Sequence, residues 1–165
     1  MPNSSNIRSP TYCIALALQR CGSCASPTPV VGLVLPPGHE TLETDVDAAE
    51  ETAEPGVWEP AVASAVIFLI DYLPEAVQNR LCEVSPHYHL DRSEQAEKSN
   101  WMNHCSFCRA PLTDFELYCE PEGALLPTSE EALASLRLFE VQEPFEAQAG
   151  GYAYAPELLD TMQRD

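Results

Sequence analysis

Basic side chains are scarce in this chain. Eight Lys and Arg stand against 26 Asp and Glu, a formal net charge of -18, and no Lys or Arg occurs between Arg20 and Arg80. Such a balance repels DNA, RNA and anionic membrane surfaces, so direct binding to any of them is disfavoured. Long apolar runs are also missing. The longest strongly apolar stretch, Ala65–Ile70, falls far short of the ~20 residues a membrane helix needs. Arg8 and the short run Tyr12–Leu18 make a poor secretory signal, because Gln19-Arg20-Cys21 follows at once. The expected compartment is the cytoplasm. The motifs of common catalysts are absent too: the sequence holds no Gly-rich phosphate loop, no G-x-S-x-G elbow and no H-E-x-x-H.

What the chain does contain is enough for one folded domain. A length of 165 residues with 45% apolar side chains suits a single core spanning 1–165. Its acids are unevenly placed. Glu40, Glu43, Asp45, Asp47, Glu50, Glu51, Glu54 and Glu59 fall close together, and only Arg137 and Arg164 offset the acids that follow Arg109. Most acidic runs do no more than keep a chain soluble. Here they also favour a partner with a basic surface, including a protein that normally holds nucleic acid. The candidate contact residues are Glu43, Asp45, Asp47, Glu50, Glu51 and Trp58.

Apolar spacing sets the expected elements. Tyr12–Leu18 alternates Ile14, Leu16 and Leu18 with Cys13, Ala15 and Ala17, which predicts a strand buried on both faces. Val30–Leu35 predicts a second strand, closed by Pro36-Pro37-Gly38. Residues 36–60 read as an acidic loop or insertion with a short helix around Asp47–Thr52, docked by Trp58. Ala63–Tyr72 reads as a central strand, with a buried helix as the competing assignment, and Pro74 opens a helix through Glu83 with Val77, Leu81 and Val84 inward. Tyr88–Leu90 predicts a strand, Arg92–Asn100 a loop and Asp114–Cys119 another strand. Thr128 with Glu131 forms a capping box for a helix to about Leu136. Leu138–Phe145 reads as a strand or extended arm, Gly150-Gly151 as a break, and Pro156–Gln163 as a closing helix.

Two Cys-x-x-Cys pairs carry the chemistry. Cys21, Cys24, Cys105 and Cys108 have the spacing of a four-thiolate zinc site, each pair lying in a turn whose amides can reach the sulfurs. In a reducing compartment such pairs favour metal over disulfides, and seven cysteines would leave one unpaired. Four thiolates close the coordination shell, so the expected zinc is structural. A competing constellation is His87, His89 and Asp91, which period two places on one strand face as a possible open metal site. A solvated polar face is the commoner outcome of that pattern. His104, beside Cys105, is expected to pack or to support the metal ligands.

The segment Trp101-Met-Asn103-His104-Cys105-Ser-Phe-Cys108-Arg-Ala110, continuing through Asp114-Phe115-Glu-Leu117 to Glu120-Pro121-Glu-Gly123, resembles bacterial zinc-knuckle or zinc-ribbon proteins. An N-terminal Cys-x-x-Cys before a Val-rich strand, as at Cys21–Leu35, and Tyr72-Leu-Pro-Glu-Ala76 add to the likeness. The resemblance implies the metal site and no established activity. Its one departure is Arg109, where a glycine usually follows the second pair, which bears on the tightness of that knuckle rather than on its ligands.

These readings combine into an α+β domain. It has a mostly antiparallel sheet, two Cys-x-x-Cys zinc-knuckle hairpins joined by structural Zn2+, and short covering helices. The expected role is a non-enzymatic, acidic protein-binding domain. Its sharpest form is a bacterial or phage inhibitor that occupies a partner's nucleic-acid-binding surface, as DNA-mimic anti-restriction or anti-CRISPR proteins do. The alternatives are an enzyme using His87, His89 and Asp91, and a zinc-ribbon adaptor.

Overall fold

The computed structural model describes residues 5–43, 57–92, 99–113, 117, 125, 136–154 and 163–164. Among these residues twelve strands and one α-helix form in the order β1 (Ile7–Ser9), β2 (Tyr12–Arg20), β3 (Pro27–Leu35), β4 (Glu40–Glu43), β5 (Val57–Pro60), β6 (Ala65–Tyr72), α1 (Glu75–Val84), β7 (Tyr88–Arg92), β8 (Ser99–His104), β9 (Pro111–Leu112), β10 (Arg137–Val141), β11 (Phe145–Tyr154) and β12 (Gln163–Arg164). Nine strands pair in the order β12-β10-β2-β3-β6-β11-β1-β4-β5, and β7-β8-β9 make a second, small sheet. Every pairing is antiparallel except the short contact of β10 with β12.

The apolar alternation of β2 explains why the large sheet has a core on each face. Ile14 packs with Val31, Leu33, Ile67 and Ile70 on one side, where Val77 and Leu81 of α1 and Tyr88 of β7 cover it. Cys13, Ala15 and Ala17 pack with Val30, Val34, Val66 and Leu138 on the other, closed by Leu112, Leu117, Leu125 and Leu136. The small side chains leave room for those leucines, as close packing requires. Leu18 is an exception to the expected pattern. It lies beyond the covered part of β2 and is 69% exposed.

β6 is the central strand, fifth of the nine, which settles the choice between strand and buried helix at Ala63–Tyr72. Pro74 sits at the helix N-cap with extended backbone rather than inside the first turn, and Glu75 opens the helix. Val77 and Leu81, four apart, put one helix stripe on the core.

Four expectations need correction. Residues 40–43 and 57–60 are not loop. They pair as β4 and β5, with Leu42 opposite Trp58. The expected loop before the second cysteine pair already contains the start of β8, because Asn100 and Met102 turn inward. Leu117, expected in a strand, lies in a helical turn whose amide donates to the Thr113 carbonyl at 3.2 Å. Gly150-Gly151 does not break the chain but runs inside β11. There the Phe68 ring occupies the space a Cβ of Gly151 would fill, with Cε2 2.3 Å from that position. The missing side chain is what lets β6 and β11 approach. Across from Gly150, Leu69 adopts a left-handed φ of 55°, beside a register shift in the same pair. The helices expected at Asp47–Thr52 and after Thr128 fall on residues outside the described set. So does the closing helix, apart from Gln163, which is in β12.

Candidate metal centre

Both cysteine pairs sit in the turns of antiparallel hairpins, Cys21 and Cys24 between β2 and β3, Cys105 and Cys108 between β8 and β9. The two turns are built alike. In the first, the Ala25 amide donates to the Cys21 carbonyl at 2.8 Å and the Cys21 amide to the Ser26 carbonyl at 2.9 Å. In the second, Arg109 donates to Cys105 at 2.9 Å and Cys105 to Ala110 at 2.9 Å. The Ser23 amide lies 3.4 Å from Cys21 Sγ, and the Phe107 amide lies 3.4 Å from Cys105 Sγ. Ala25 and Arg109 both take a left-handed backbone, with φ of 62° and 65°. The second cysteine turn therefore closes as tightly as the first, although neither position is glycine.

The hairpins bring all four sulfurs within 4.8 Å of one another. Cys21 Sγ lies 3.6 Å from Cys108 Sγ, and Cys24 Sγ lies 3.6 Å from Cys105 Sγ. A disulfide needs about 2 Å, and the described cysteines are all unbridged. A tetrahedron with metal–sulfur bonds of about 2.3 Å has edges of about 3.8 Å, which the two cross-pair distances approach. These four side chains fit one metal ion. They are the one such group of His, Cys, Asp or Glu among the described residues.

Hydrogen bonding sets Cys24, Cys105 and Cys108 apart from one another. The backbone amide of Cys108, then that of Phe107, together with the neighbouring sulfurs, holds the Cys105 thiol down to about 6 against the effect of burial. Hydrogen bonds from the Ser26 backbone and side chain lower Cys24. For Cys108, a hydrogen bond from the Ala110 backbone acts downward, but burial and the hydrogen bonds to Cys21, Cys24 and Cys105 prevail and push it up to about 12. A metal-free cluster thus shares protons among its sulfurs, and a cation would replace them.

Buried polar contacts clamp the two hairpins together. Asn103, in β8 and only 1% exposed, accepts from the Val31 amide at 2.8 Å and donates to the Val31 carbonyl at 2.9 Å. β6 pairs with β3 only from Leu33 to Leu35, so the Asn103 side chain takes the place of a strand partner on Val31. Nearer the cysteines, the Ser106 amide donates to Thr28 Oγ1 at 2.9 Å, and Thr28 Oγ1 donates to Ser106 Oγ at 3.2 Å. Sequence reasoning overlooked Asn103 and Thr28. The available signal was a polar residue on an inward strand position beside each cysteine pair.

His87, His89 and Asp91 do not converge as a ligand set. Asp91 Oδ2 instead lies 2.7 Å from Nε2 of the buried His104, and His104 Nδ1 donates to the His87 carbonyl at 3.1 Å. The hydrogen bond to His104, then the Arg92 amide, holds the Asp91 carboxyl below its ordinary range. The His89 ring stacks flat on His104, centroids 3.8 Å apart. Among the acidic contact candidates, Asp45, Asp47, Glu50 and Glu51 lie outside the described residues, and Glu43 ends β4. Trp58 is half-buried, with the Arg8 guanidinium 3.9 Å over its ring and bonded to Glu40 at 3.1 Å. The contact reaches across β4, from Arg8 of β1 to Trp58 of β5.

No helix among the described residues is long and apolar enough to cross a membrane. The chain matches no protein-family model, no curated protein and no solved structure.

Proposed function

We propose that this chain is a non-catalytic binding domain stapled by zinc, whose acidic surface engages the basic surface of a protein partner. The observation that carries the reading is the closed set of four sulfurs. A metal held by four thiolates has no open position for water or substrate, so it serves folding rather than reaction. Zinc suits the set because it accepts tetrahedral thiolate coordination without redox chemistry. The two hairpins then act as zinc knuckles, consistent with the resemblance carried by Trp101–Ala110.

The net charge of -18 supports the choice of partner. Among the described residues Glu59, Asp71, Glu75 and Glu140 are exposed and form no ion pair, which leaves them available. The sharpest form of the proposal is an inhibitor that competes with nucleic acid for its partner, in the manner of DNA-mimic, anti-CRISPR or anti-restriction proteins. The test is to capture partners across a salt series and then to challenge them with DNA. Basic partners that elute as salt rises, and that DNA displaces, are expected. Partners retained at high salt, or unaffected by DNA, contradict electrostatic mimicry.

A further inference from the structure

A pocket beside the second knuckle gathers most of the chain's histidines. Pro86, His87, His89, Asp91, His104 and Arg109 line a space of about 480 Å³. Three of four histidines thus share one depression with an arginine, in a chain that holds only eight Lys and Arg. The single carboxylate among the described lining residues is already engaged. Asp91 faces His104 Nε2 through Oδ2, and its Oδ1 accepts from the Arg92 amide at 2.7 Å. Among the described residues the Arg109 guanidinium meets no carboxylate.

We propose that this pocket binds a small tetrahedral oxyanion, a phosphate or phosphate monoester. Arg109 is the principal donor, and His87 and His89 flank it. His104, fixed between Asp91 and the His87 carbonyl, positions the His89 ring by stacking. A forked guanidinium matches two oxygens of such an anion. Acids elsewhere on the molecule oppose binding only weakly, because charges more than about 8 Å away are screened at physiological salt.

The backbone gives an independent reason to look at Arg109. The knuckle needs a left-handed residue there and uses only its main chain, through the bond to Cys105. Glycine meets that need without strain, whereas an arginine held at φ 65° is strained and places a cation in the pocket. Ala25 meets the same need in the first turn with a methyl, so the turn accounts for the left-handed backbone but not for a guanidinium at this position.

The test uses the zinc-loaded protein and follows the His87 and His89 ring protons by NMR during titration. The probes are inorganic phosphate, a nucleoside monophosphate, and chloride at matched ionic strength. Saturable shifts with a phosphate probe and not with chloride are expected. Tighter binding of the monoester assigns an organic phosphate as occupant, and equal or weaker binding assigns the free anion. R109G keeps the knuckle bonds and relieves the strain, so its thermal midpoint should not fall, while its phosphate affinity should drop about tenfold or more. R109A, which copies Ala25 of the first knuckle, provides the same reading if glycine loosens the turn. Shifts no larger than those with chloride, or variants that bind phosphate like the parent, overturn the proposal.

Discussion

Single residues decide how the two cysteine hairpins meet. Asn103 is the clearest case, because its side chain satisfies both the amide and the carbonyl of Val31 in a buried setting. An Asn103→Leu substitution leaves both backbone groups without partners. Each such loss costs about 1–3 kcal/mol, so the variant should lose about 2–6 kcal/mol of stability in denaturant titration of the metal-loaded protein. A loss well under 1 kcal/mol would mean that water replaces the clamp. Ala25 and Arg109 predict the opposite sign. Left-handed backbone costs an L-residue about 1–2 kcal/mol, partly offset by the greater freedom of glycine when unfolded, so A25G and R109G should each stabilise by about 0.5–1 kcal/mol. Unchanged or lower midpoints in both would show that the left-handed turns carry no strain.

At the scale of elements, the pairing of β6 with β11 depends on Gly151, where the Phe68 ring fills the place of a Cβ. Gly151→Ala should displace that ring and cost about 1 kcal/mol or more, read as a lower thermal midpoint with the fold retained. The middle of α1 and the turn before β11 are tied by the ion pair of Arg80 with Glu143. The Arg80 hydrogen bond holds the Glu143 carboxyl below its ordinary range in the folded state. A depressed carboxyl adds stability that is present above its unfolded value of about 4.3 and fades as pH falls through the lower folded value. Glu143→Gln should therefore flatten the acid limb of a stability profile and leave the neutral to alkaline region parallel to the parent. A steeper acid limb in the variant would contradict the assignment.

Elements with strong apolar periodicity were legible before any coordinates. The two faces of β2, the central place of β6 and the Val77–Leu81 stripe of α1 all follow from side-chain spacing. The β4–β5 hairpin was not legible, because its short strands flank an acidic run and its stabilising contact, Arg8 over Trp58, comes from a distant strand. Gly150-Gly151 misled for a related reason. Glycine marks a turn by local rules, yet here it marks close approach to Phe68. The cysteine spacing named the four sulfurs that the fold gathers. The pairing of Asp91 with His104 depended on the register of β7 against β8, which spacing along one strand does not encode.

The whole molecule is a strongly acidic sheet domain closed by a clasp between its N-terminal and central segments. The clasp joins cysteines 81 and 87 positions apart, so a metal ion held at that point would shorten a long loop and lend its binding energy to folding. Chelation under reducing conditions should lower the thermal midpoint substantially and release β7–β9 first. Loss of amide protection in those strands before the large sheet would show this order. Binding at neutral pH should also release protons, because Cys108, held up to about 12 in the free cluster, must ionise to become a ligand. Affinity then falls as pH falls, and calorimetric enthalpies should vary with the ionisation enthalpy of the buffer.

Metal content of the purified protein in reducing buffer tests the central claim most directly. The four gathered sulfurs predict close to one zinc per chain, with Cys21, Cys24, Cys105 and Cys108 protected from alkylation until a chelator is added. A stoichiometry near zero, with all four thiols freely reactive, would contradict it.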